Sequence, residues 1–216
     1  MLFFIAAAIL NLQFEESPPA TLEQRMKKHL LLLPLLLSLV SLASAQVPAA
    51  PQQGDVAINN NGILPTGVKT PEYMLSSGPI KRAKSLTWLE IEVQYSTLPP
   101  LIDELTFEYS VLMNGQLFTG SSTYINIAKS REHYAVVYIS PAAIDTIMGG
   151  LPFTSSALAN IQVRITHQGQ ELALRALKNV ALPNVQQHTG VILNKPETPF
   201  APLFWDRYET LKPTGH

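Results

Sequence analysis

Apolar and polar residues alternate with period two through most of the second half of the chain, and that rhythm predicts strands. Across 86–96, LTWLEIEVQYS, Leu89, Ile91, Val93 and Tyr95 fall on one face and Glu90, Glu92 and Gln94 on the other. Such alternation describes a sheet with one face on a core and the other in water. The pattern recurs over 105–113, where Leu105, Phe107, Tyr109 and Val111 share a face. Asn114-Gly115 then separates this run from another over 116–127. Both residues tolerate the positive φ of a tight hairpin turn, so a hairpin is expected here. Residues 133–139, HYAVVYI, predict a further strand. A short helix follows, with Ser140 as N-cap, Pro141 as first helical residue and Gly149 as terminator. Runs over 161–166 and 171–176 form a second hairpin through His167-Gln168-Gly169-Gln170, and 178–182 extends the series. About seven strands with turn signals between them predict an all-β, immunoglobulin-like β-sandwich over 70–193.

The pattern differs at both ends. Residues 26–45, MKKHLLLLPLLLSLVSLASA, place Lys27 and Lys28 before an apolar run, and Ala43 and Ala45 at the −3 and −1 positions of a signal-peptidase site. The apolar run is broken by Pro34 and is shorter than a transmembrane helix requires. A cleaved signal peptide is therefore expected, with no retained transmembrane helix and a mature chain starting near Gln46. Residues 1–25 lie upstream of this complete signal and read as an extension preceding the true start at Met26; a genuine long n-region is the alternative. Residues 46–69, with their Pro, Gly, Gln and Asn-Asn-Asn-Gly content, read as a flexible leader carrying at most a short strand at its end. Residues 194–216 combine four prolines with Phe200, Phe204, Trp205 and Tyr208, which reads as an extended arm. A helical turn would align Phe200, Phe204 and Tyr208 on one face, making these aromatics and Trp205 the candidate partner contacts.

Composition narrows the function. The net charge is −1, and the segment before Gln46 carries three basic and three acidic residues, so maturation leaves that balance unchanged. Nothing electrostatic favours nucleic acid or an anionic membrane. Charged residues make up only 14% of the chain, a surface that tolerates close protein contacts. There is no cysteine, hence no disulfide and no lipid attachment through a thiol.

Candidate chemistry is sparse. His133, His167, His188 and His216 are too far apart in sequence to form a local metal site. No Gly-x-Ser-x-Gly elbow is present. Glu90 and Glu92 would sit about 7 Å apart on one strand face, near the spacing used by glycosidases. Their place in a regular alternation makes them a solvated face instead. Lys81, Arg82 and Lys84 form a basic cluster ahead of a strand, where charge discourages edge pairing. The expectation is a protein that is not an enzyme, with no cofactor and no metal.

Two segments carry a resemblance. Residues 88–93, WLEIEV, and 204–209, FWDRYE, resemble secreted proteins of mucus-dwelling gut Verrucomicrobia, in particular a small immunoglobulin-like protein of their type IV pilus-like gene cluster. The resemblance spans roughly 70–210. It implies an exported, periplasmic or cell-surface domain similar to archaeal pilus and archaellum components, working by contact with envelope or pilus-like assembly proteins or with copies of itself. The rival reading is a carbohydrate-binding β-sandwich for mucin or other glycans, with Tyr95, Tyr109, Tyr124, Tyr134 and Tyr138 as its aromatic platform.

Overall fold

The computed structural model describes residues 50–73 and 84–213. The signal segment with Ala43 and Ala45, the residues Lys81 and Arg82, and His216 lie outside the described residues. The framework is one long hairpin, β2 (Thr87–Met113) and β3 (Gln116–Ile139). Its turn is Asn114-Gly115, with φ of 46° and 74°, the left-handed pair that the sequence predicts.

Each of these strands merges two runs that the sequence separates. The residues between those runs, 97–104 and 128–132, are taken up within continuous strands. The β2–β3 register shifts between Tyr95 and Leu101, and Asn126 takes a φ of 59°. Bulges of this kind bend a strand without ending it.

The two halves of the hairpin take different neighbours. The first half of β2 is flanked by β1 (Val56–Lys69) and the second half of β3, which pairs in turn with β7 (Ile192–Asn194). The second half of β2 is flanked by the first half of β3 and by β4 (Leu158–His167), beyond which lies β5 (Gln170–Ala176). Two short strands, β6 (Gln187–His188) and β8 (Thr210–Leu211), complete the free edge of β3. The result is an all-β fold of sandwich type. Leu89, Ile91, Val93 and Tyr95 meet Phe107, Tyr109, Val111 and Ile161 in one buried core. Across it, the Tyr95 and Phe107 rings pack edge to face at 4.9 Å.

Helix α1 (Pro141–Met148) forms as its sequence dictates: Ser140 Oγ accepts the Ala143 N–H at 3.2 Å, and Gly149 closes it in the left-handed region. It buries Ile144 and Ile147 against the core.

Three expectations are corrected. The segment expected to be a flexible leader holds the 14-residue strand β1, antiparallel to β2 from Val56↔Thr97 to Lys69↔Thr87. Its polar Asn-Asn-Asn-Gly run is a bulge in that pairing, between Ile58 and Ile63. Gly62 is required there, because a Cβ would lie 2.6 Å from the Gln94 carbonyl oxygen. No strand forms over 178–182; instead Asn160 Oδ1 accepts the Lys178 N–H at 2.9 Å while its amide donates to the Val180 carbonyl at 2.6 Å. A buried asparagine thus supplies the hydrogen bonds that a strand partner would have given. Finally, the outer face of β2 is not solvated along its whole length, as described next.

Candidate functional site: the C-terminal arm

The first β-layer, made of β1, the first half of β2, the second half of β3 and β7, carries on its outer face Trp88, Glu90 and Glu92 from β2 and Val136 and Tyr138 from β3. A face with two aromatic rings and two carboxylates suits neither water nor an ordinary core. The chain resolves this by laying its own C-terminal segment across it.

The arm starts in a 3₁₀ turn, Lys195–Glu197, and continues as tight turns rather than a helix. Hydrogen bonds Leu203 N–H to Phe200 O (3.0 Å) and Arg207 N–H to Phe204 O (3.1 Å) fold it back repeatedly. The common face expected for Phe200, Phe204 and Tyr208 therefore does not exist. Phe200 is only 5% exposed, stacked on Tyr138 at 4.6 Å and set edge-on to Trp88 at 5.6 Å. Together with Val136 these residues form a second, smaller core, with Leu203 and Tyr208 at its margin. Trp88 thus has a core role, but in this outer cluster, with its indole N–H on Thr70 Oγ1 at 3.1 Å.

Beyond Phe200 the contacts become ionic. Glu92 is 8% exposed and receives both arms of the Arg207 guanidinium, Nη2 at 2.8 Å on Oε1 and Nε at 3.0 Å on Oε2, with the Tyr208 hydroxyl donating to Oε2 at 2.9 Å. This bidentate geometry is the strong form of a carboxylate–guanidinium pair. It holds the Arg207 pKa above its ordinary value, and the guanidinium also lies 3.6 Å over the Tyr134 ring. Burial pushes the neighbouring Glu90 carboxyl upward, against the opposing effect of the Tyr138 hydroxyl that donates to it at 2.9 Å.

Glu209 reaches His133 Nδ1 at 2.5 Å. The other ring nitrogen is fixed by its surroundings. The Thr97 hydroxyl donates to the Ala128 carbonyl at 2.9 Å, so its oxygen can only accept from His133 Nε2 at 3.0 Å. With Nε2 turned to Thr97, the ring presents Nδ1 to the Glu209 carboxyl and so ties the arm to β3. Downstream, β8 adds to the β3 edge and Lys212 pairs with Glu104 at 2.5 Å. The arm is therefore seated by an aromatic plug, three ionic contacts and a strand addition.

Phe204 and Trp205 are the exception. They are 60% and 78% exposed at the turn between plug and ion pairs, and Phe204 holds a φ of 50°. A left-handed aromatic residue is uncommon and costs backbone energy. Of the four aromatic contacts expected from the sequence, these two face outward while Phe200 and Tyr208 are used within the chain.

The other candidate groups serve the fold. His167 is buried with Nε2 on Asp103 Oδ1 at 2.8 Å, a bond that holds the Asp103 carboxyl below its usual range. His188 packs on Phe118 at 5.6 Å between ring centres. Among the described residues no three His, Asp or Glu side chains cluster as metal ligands, and no helix is long and apolar enough to cross a membrane. Tyr95, Tyr109, Tyr124 and Tyr138 are all buried, so the expected glycan platform is reduced to Tyr134. The Tyr124 phenol, pushed up to about 12 by burial, lies beneath the arm.

No curated protein matches the chain. A crystal structure of a protein from Akkermansia muciniphila superposes with a TM-score of 0.64 at 21% identity, covering 74% of this chain and 95% of that one. At that identity the likeness concerns the fold. A family model matches residues 48–214, a span that takes in every strand and the whole described arm. The chain belongs to the family that this model defines.

Proposed function

We propose that this protein is an exported, non-enzymatic component of a type IV pilus-like surface or secretion assembly, acting by protein–protein contact through the tip of its C-terminal arm. The observation that carries the reading is the exposure of Phe204 and Trp205 on a segment otherwise anchored on both sides. Large aromatics presented on a rigid support are favoured as interface anchors because little ordering entropy is lost when they bind. The mature domain begins near Gln46 once the signal peptide is removed, leaving the arm as the surface offered to envelope partners or to another copy. The family match, which takes in the whole described arm, and the likeness to an Akkermansia fold are in keeping with this reading.

Affinity purification from native envelopes tests it. The intact chain is expected to recover pilus-like envelope proteins, and the F204A/W205A double variant to lose them while remaining folded. Equal recovery by both proteins would remove the arm tip from the interface, and recovery of no envelope protein by the intact chain would overturn the assembly role.

A further inference from the structure

Beside the arm tip lies a cleft of about 250 Å³ whose rim and walls include Lys195, Pro196, Ala201, Trp205, Tyr208 and Glu209. Lys195 is 7% exposed, yet it has no carboxylate partner within 4.0 Å among the described residues. Its Nζ donates to one neutral acceptor, the Ala201 carbonyl at 3.1 Å, and lies 5.3 Å from the centre of the Tyr208 ring. An ammonium has three donors, and among the described residues only one protein oxygen accepts from this one. Burial accordingly lowers its pKa from the ordinary lysine value. The Glu209 carboxylate in the same cleft is already committed to His133 through its Oε1. The cleft therefore presents a positive charge at its wall and an exposed indole at its rim.

We infer that this cleft recognises a carboxylate on a partner protein, either a terminal carboxylate or an acidic side chain, adjacent to an aromatic or otherwise flat apolar group. The carboxylate meets Lys195 Nζ, and the apolar group lies on Trp205. Most polar groups of the remaining lining are already engaged, the Tyr124 hydroxyl on the Val136 carbonyl, that of Tyr208 on Glu92 and Glu209 on His133, so few are left to converge on a sugar and an acidic peptide suits the cleft better than an acidic glycan. The inference rests on the arm tip being a contact surface and names the chemistry that surface selects.

The probes are N-acetyl-phenylalanine, its neutral amide and N-acetylneuraminic acid, titrated into the purified protein with tryptophan fluorescence and NMR shifts as readouts. N-acetyl-phenylalanine is expected to bind saturably, the amide about tenfold more weakly. Lys195→Gln and Trp205→Ala should each weaken the acid by a similar factor, and Trp205→Ala, being exposed, leaves the fold intact should Lys195→Gln disturb it. Absence of binding, equal binding of the amide, indifference to both substitutions, or preference for the sugar acid would overturn the inference. Because these titrations contain no envelope partner, their failure beside successful envelope recovery would remove the carboxylate chemistry and leave the arm-tip contact standing.

Discussion

Residue by residue, the structure shows where this chain tolerates expense. The Tyr95 hydroxyl is buried without a hydrogen-bond partner. Replacing it with phenylalanine removes an unpaired polar atom while keeping the ring between Phe107 and His133. Tyr95→Phe should be at least as stable as the parent, by up to about 1 kcal/mol in denaturant unfolding. Glu90 gives a pH-dependent case. Its folded carboxyl titrates above the unfolded one, so the folded state binds its proton more tightly, and that contribution is present at acid pH and lost as pH rises through the folded value. Glu90→Gln keeps an acceptor for Tyr138 and removes the buried ionisation. Its melting temperature should exceed the parent's at pH 7, with the difference vanishing below about pH 4. A constant difference across that range would exclude ionisation as the cause.

At the scale of elements, the arm is a closure device for the outer face of the first β-layer. Truncation after Asn194 would expose Trp88, Val136 and Tyr138 together, so the shortened chain should bind hydrophobic dye and unfold at lower temperature. Phe200→Ala alone should cost roughly 3 kcal/mol, the usual scale for deleting a packed aromatic. A double-mutant cycle of Glu92→Gln and Arg207→Gln should give a coupling of roughly 1–2 kcal/mol, moderated because Arg207 is partly in water. These elements also show what a sequence conveys. The hairpin turn at Asn114-Gly115, the caps of α1 and the inward set of Leu89, Ile91, Val93 and Tyr95 were legible because each is decided by neighbours a few positions away. The covering of Glu92 was not. Alternation identifies which residues share a face, whereas its partner Arg207 lies 115 positions downstream. Nor was β1 legible, because its pairing with β2 outweighs the loop-like composition of its bulge. Phe204 and Trp205 were picked out by aromatic content, but their separation from Phe200 depends on turns that helical spacing does not describe.

For the whole molecule, the arrangement separates stability from recognition. One packed aromatic cluster, the ionic contacts and the β8 strand addition hold the arm, while its two most exposed aromatics contribute little to holding it. Lys195 and Lys212 flank the tip in sequence, but one is buried and the other is paired with Glu104. Position 205 itself is the better reporter of what the arm meets. The most direct test of the central claim replaces Trp205 with a photo-crosslinking aromatic amino acid in cells and identifies the adducts after illumination. The account predicts reproducible adducts with pilus-like envelope proteins. Adducts confined to the chain itself, with the protein correctly exported and folded, would contradict it.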